Sequence, residues 1–104
     1  MESKEIKKVA ILPAHNEERT IAKVIVKTQK YVDEVIIIDD GSTDMTATIA
    51  ERLGAKVIRH DRNMGYGAAL RTGFEYAVKL KPDVVVTIDA DDQHNPDDIP
   101  RLIE

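Results

Sequence analysis

The chain has 104 residues, 42% hydrophobic and 33% charged, with a net charge of −4. This is the balance of one soluble globular domain with a modest core, and its weak acidity gives no electrostatic basis for nonspecific nucleic-acid binding. Cysteine is absent, so disulfides and thiolate metal sites are excluded, and any bound metal must take oxygen or imidazole ligands, which favours Mg2+, Mn2+ or Ca2+. Along the chain, apolar periodicity alternates between two kinds. Val9–Leu12 is a short apolar run that Pro13, with no N–H, is expected to end as a buried strand. Ile21, Val24, Ile25 and Thr28 then recur at the spacing of one helix face. Val35–Ile38 reads as a second strand, and Met45, Ile49, Ala50 and Leu53 as the face of a second helix stopped by Gly54. Lys56–Arg59 is a short third strand. Leu70, Phe74, Ala77 and Val78 suggest the apolar face of a third helix ended by Pro82, and Val84–Ile88 a fourth strand. Asn95-Pro96-Asp97-Asp98 has the residues of a helix start, with Asn as cap, Pro at the first position and acids in the first turn.

This alternation predicts an α/β three-layer sandwich: a mostly parallel sheet with helices on both faces and ligands beyond the carboxyl ends of the strands. Residues 1–104 are expected to be one domain, truncated within its last helix and so the N-terminal piece of something longer. The charged segment Met1 to Lys8 lacks a signal-peptide apolar stretch, and no apolar run approaches the ~20 residues of a membrane span. The expected location is cytoplasmic, with the cytosolic face of a membrane as the setting of a longer form.

Four polar clusters follow strands. In Pro13-Ala14-His15-Asn16-Glu17, Asn16 can cap the first helix, and His15 either stacks on a nucleobase or is simply exposed. In Asp39-Asp40-Gly41-Ser42-Thr43-Asp44, Gly41 suits a positive-φ turn, and Thr43 or Asp44 can cap the second helix. Two adjacent carboxylates there repel unless a ligand donor or cation offsets them. Such a carboxylate can accept from the N3–H of uracil or from the N1–H and N2–H of guanine. Asp61-Arg62-Asn63-Met64-Gly65-Tyr66-Gly67 reads as a tight turn, because Leu70 breaks a Gly-x-Gly-x-x-Gly pattern. Asp89-Ala90-Asp91-Asp92-Gln93-His94 is the sharpest cluster: alternate positions Asp89, Asp91 and Gln93 can present three oxygens to one hard cation, Mg2+ or Mn2+. His60 and His94 read as solvated.

Together, Ile11 to Glu18, Val35 to Asp44, Asn63 to Arg71 and Asp89 to His94 resemble the family 2 glycosyltransferases of the GT-A fold, in particular enzymes similar to dolichyl-phosphate mannose and glucose synthases. The resemblance implies a metal-dependent, inverting transfer from a nucleoside-diphosphate sugar, of the GDP-mannose or UDP-glucose type, to a polyprenyl or dolichyl phosphate or another acceptor. It implies that Pro13, His15 and Glu17 line the nucleoside pocket and that Ile38 and Asp40 contact the base. Asp89 and Ala90 would lie near the ribose and diphosphate, and Asp91 and Gln93, with Asp89, at the metal. Position 15 is often tyrosine and position 92 often leucine in the relatives. A lipid phosphate acceptor is already ionised and needs no base; a hydroxyl acceptor needs one, and no residue of this chain is a candidate. The catalytic residues are therefore unknown from the sequence.

Three other readings compete. A nucleotide-binding half-domain without catalysis is compatible with the same residues. A haloacid-dehalogenase-like phosphatase would want Thr or Val where Gln93 stands. A receiver-like signalling domain would carry its acids after strands one and three. Apolar surface left by a missing half would favour self-association.

Overall fold

A computed structural model of the chain describes residues 6–91. The elements run β1 (Lys8–Ala14), α1 (Ile21–Thr28), β2 (Glu34–Asp40), α2 (Thr46–Arg52), β3 (Lys56–His60), α3 (Tyr66–Lys79) and β4 (Val84–Thr87). The helix expected from Asn95 lies outside the described residues, and none of the described helices is long and apolar enough to cross a membrane.

All strand pairs are parallel, in the order β3-β2-β1-β4. Successive side chains on a strand point to opposite faces, and here both faces are covered, which is why the strands read as unbroken apolar runs. Ala10, Leu12, Val35 and Ile37 pack with Ile21, Val24 and Ile25 of α1 and Ala50 of α2. Val9, Ile11, Ile36 and Ile38 pack with Ala69 and Ala77 of α3 on the opposite face. The expected three-layer sandwich is the observed one. In α1 the four predicted inward positions are all buried, and the Thr28 hydroxyl donates to the Val24 carbonyl, so its polar atom is satisfied inside the core.

Three expectations need correction. Pro13 does not end β1, which continues to Ala14 with Pro13 opposite Ile38. The Ile11 carbonyl faces β4, where it accepts the Ile88 N–H. Two residues on, the ring nitrogen of Pro13 falls on that same side, past the last β4 partner, where no ladder bond is required. In α2, Met45 is exposed, and the buried face is Thr46, Ala47 and Ala50, with Ile49 and Leu53 partly buried beside it. In α3, Phe74 and Val78 face outward, and the inward face is Ala69, Gly73 and Ala77, with Leu70 partly buried. The cause is the sheet surface. A Cβ on Gly73 would come within 2.4 Å of Ile11 Cγ2, so β-branched strand residues demand small partners and turn the large ones away.

From β1 the chain steps through β2 to β3 on one side, then returns to place β4 on the other side of β1. The boundary between β1 and β4 is a topological switch point, where the loops after the two strands diverge and leave a crevice.

Candidate functional site

The end of β2 carries Asp39 and Asp40, which point to opposite faces of the sheet. Each meets its cross-strand neighbour on β3, since Asp39 is in register with Arg59 and Asp40 with His60. Asp39 Oδ1 accepts the Ser42 N–H at 3.1 Å, and Oδ2, without a hydrogen bond among the described residues, rests as an ion pair on Arg59 Nε at 3.2 Å. Asp40 Oδ1 accepts from His60 Nδ1 at 2.8 Å and from the Met64 N–H at 2.9 Å, and Oδ2 accepts the Gly65 N–H at 2.9 Å. Burial pushes the Asp40 carboxyl up, but the bonds from His60, Met64 and Gly65 outweigh it and hold the group below the usual carboxylate range. The adjacent acids therefore need no ligand to offset their repulsion: alternation separates them and the chain supplies the donors. His60, expected to be solvated, is in fact a partner of Asp40 with a side chain only 11% exposed.

Gly41 makes this crossing possible. Its φ is +76°, and a Cβ there would lie 2.5 Å from the backbone of Arg62 and Asn63, so the β3–α3 loop passes directly over the turn.

The loops after β1 and β2 are laced together. Asn16, itself at φ +52°, does not cap α1; its N–H donates to Ser42 Oγ and its Oδ1 accepts the Thr43 N–H, each at 2.8 Å. Thr46 Oγ1 accepts the Glu17 N–H, and Glu18 Oε2 accepts the Met45 N–H. Asp44 accepts the Thr46 N–H and so serves the start of α2, while Thr43 is bonded to Asn16 instead. His15 donates from Nδ1 to the Asp40 carbonyl at 2.8 Å, which fixes an otherwise exposed ring over the end of β2.

After β4, Thr20 at the start of α1 donates to the Ala90 carbonyl at 2.6 Å and anchors the turn that carries Asp91. The Tyr66 hydroxyl donates to Asp89 Oδ1 at 3.3 Å, and burial followed by the Asp89 charge pushes its phenol up. Glu17 is also pushed up, first by burial and then by Asp91.

These strand ends enclose a cleft of about 280 Å³ at the switch point, near the lower end of small-molecule pockets. Of the residues predicted to bind nucleotide, Pro13, His15, Glu17, Asp40, Asp89 and Ala90 line it, as does Asp91 of the predicted metal set. Ile38 does not. It is fully buried in the core beneath α3, on the same face of β2 as Asp40 but two positions short of the strand end where the cleft opens. Gln93 lies outside the described residues. Among the described residues, no group of three or more acidic or imidazole side chains gathers as a metal site. The donor chemistry fits a hard cation: the cleft is lined by the carboxylates of Glu17, Asp40, Asp89 and Asp91. The sequence reading missed Asn63, Tyr66 and Ala69 on the cleft wall. Its signal was the Asn63–Gly67 cluster, read there only as a turn.

The Glycosyl transferase family 2 model matches residues 9–104. A UDP-N-acetylglucosamine–dolichyl-phosphate N-acetylglucosaminyltransferase of Methanococcus voltae is 40% identical over 90% of this chain and 45% of its own length. An undecaprenyl-phosphate 4-deoxy-4-formamido-L-arabinose transferase of Edwardsiella ictaluri is 35% identical over 90% of this chain and 32% of its own. Among solved structures, glucosyl-3-phosphoglycerate synthase of Mycobacterium tuberculosis, in complex with Mn2+, UDP and glucosyl-3-phosphoglycerate, superposes with a TM-score of 0.75 at 34% identity, covering 94% of this chain and 38% of that one. The chain thus spans less than half the length of each of these proteins.

Proposed function

Because the chain belongs to glycosyl transferase family 2, we propose that its cleft holds the nucleoside diphosphate of a sugar donor, with UDP as the nucleotide, for a metal-dependent, inverting transfer to a polyprenyl phosphate. The observation that carries this reading is the convergence of His15, Asp40, Asp89 and Asp91, from the ends of three strands, on one crevice at the switch point. The Mycobacterium tuberculosis neighbour's complex with Mn2+ and UDP supports the choice of nucleotide, and the two relatives' names support the acceptor.

In this reading Pro13, His15 and Glu17 wall the nucleoside, Asp40 meets the base, and Ile38 supports that wall from behind. Asp89 and Ala90 flank the ribose and diphosphate. Asp91 and Gln93, with Asp89, would hold Mg2+ or Mn2+, which when bound supplies Lewis-acid stabilisation of the departing diphosphate. An ionised lipid phosphate needs no general base, consistent with the lack of a candidate among the described residues. That acceptor would put the reaction at the cytosolic face of a membrane.

Titration calorimetry of the chain with UDP and GDP, with Mn2+ or with a chelator, tests the reading. UDP should bind about tenfold or more tightly with Mn2+ than with chelator, the order expected for losing a metal-bridged contact. Equal affinity in the two conditions would remove the metal from the reading, and no binding of either nucleotide would remove the reading itself.

A further inference from the structure

His60 has no role in the reading above, yet it is among the most constrained polar side chains near the cleft. It ends β3, opposite Asp40 in register, and lies between the sheet and α3. Its Nδ1 is 2.8 Å from Asp40 Oδ1, and its Nε2 is 2.8 Å from Thr72 Oγ1. The Thr72 hydroxyl donates its own proton to the Ala68 carbonyl at 3.1 Å. The hydrogen bond between His60 Nε2 and Thr72 Oγ1 ties the ring to α3. The Asp40 carboxylate, which only accepts, takes Nδ1–H. The ring is therefore braced by α3 at Nε2 and aimed at Asp40 through Nδ1.

The acceptor count on Asp40 then becomes informative. A carboxylate oxygen has two acceptor directions. Among the described residues, Oδ1 has used both, on His60 and Met64, while Oδ2 has used one, on Gly65. The remaining direction belongs to Oδ2 of a residue that lines the cleft.

We propose that His60, braced by Thr72, is a positioning residue that turns Asp40 Oδ2 toward the cleft as the acceptor for the imide N–H of a bound uracil, and so sets base selectivity without touching the nucleotide. The inference rests on the UDP reading. The alternative is a histidine that merely fills the space between β3 and α3. That role would govern stability and leave base discrimination alone.

Calorimetry with UDP and with UDP methylated at N3, both with Mn2+, separates the two, with the melting temperature of each variant recorded alongside. The wild-type chain should prefer UDP by about tenfold, the order of one hydrogen bond to a charged acceptor. His60→Leu should lose that preference, by weaker UDP binding with little change for the methylated analogue. His60→Asn, whose amide can donate where Nδ1 does, should restore most of it. Thr72→Val removes only the brace and should lower the preference about threefold, a loss of part of that bond; it keeps the test open if His60→Leu fails to fold. A folded His60→Leu with the wild-type preference, or Thr72→Val with no effect, overturns the inference while leaving UDP binding standing. Equal wild-type affinity for the two nucleotides also overturns it. A wild-type chain that binds neither defeats the UDP reading on which it depends.

Discussion

The two ends of the sheet use their carboxylates in opposite ways. At the amino end, Asp33 and Asp83 precede β2 and β4. Asp33 accepts the Lys8 N–H and Asp83 the Lys7 N–H, each at 2.7 Å, while their own N–H groups donate to the Lys8 and Lys7 carbonyls. Each acid thus closes a reciprocal pair with the start of β1. At the carboxyl end, Glu17, Asp89 and Asp91 face a shared cleft, and Glu17 is raised by burial and by Asp91. Acids at the amino end tie β1 to its neighbours through the backbone, whereas those at the carboxyl end line the cleft. Asp40 lies between these cases, with three donors from the chain and a place on the cleft wall.

The largest expected effect comes from the turn on which the carboxyl end depends. Gly41→Ala adds a Cβ 2.5 Å from the Arg62 and Asn63 backbone at φ +76°. It should cost about 3 kcal/mol or more, through strain and overpacking together. Urea unfolding measures this, and a loss below about 1 kcal/mol would show that the loop crossing is slack.

A pair of variants then tests the comparison directly. Asp91→Ala should weaken UDP binding with Mn2+ by about tenfold or more while leaving stability nearly unchanged. Asp33→Ala should do the reverse, costing about 1–2 kcal/mol because the Lys8 N–H loses its acceptor, with UDP affinity intact. The comparison breaks if both variants affect the same quantity.

The smallest effect is a pH dependence. Burial pushes Asp44 up, but the Thr46 hydroxyl and N–H and the Glu18 N–H outweigh it and leave the carboxyl lowered, as they do for Asp40 with its own donors. A carboxyl lowered by folding stabilises the native state above the unfolded value, near 3.8, and that contribution is lost as pH falls through the lower folded value. Urea unfolding free energy should therefore decline between about pH 5 and pH 3. In Asp44→Asn the decline should be shallower by up to about 1 kcal/mol, one hydrogen-bonded carboxylate's share.

Much of the candidate cleft was legible in the sequence. Cluster order after each strand, with the rule that α/β ligands sit at strand carboxyl ends, was enough to nominate His15, Asp40, Asp89 and Asp91 for one crevice. Ile38 was misplaced because it shares a sheet face with Asp40, two positions on, but lies deeper in the strand, beneath α3, and no local pattern tells how far the helix covers that face. Tyr66 and His60 were missed for a related reason. Each is brought to its carboxylate across more than twenty or about twenty positions of chain, Tyr66 to Asp89 and His60 to Asp40, by register and helix placement that no local pattern encodes.

The amino-acid order by itself determined the alternation of strands and helices, the burial of both sheet faces, and the strand ends where polar groups collect, because apolar period and turn chemistry are local properties. Tertiary structure alone decided which acids are consumed by the chain and which face the cleft. It also decided that α3 turns small residues inward, since the Cβ space above Ile11 leaves room for nothing larger. Those outcomes depend on distances between segments far apart in the chain, and such distances exist only once the sheet has assembled.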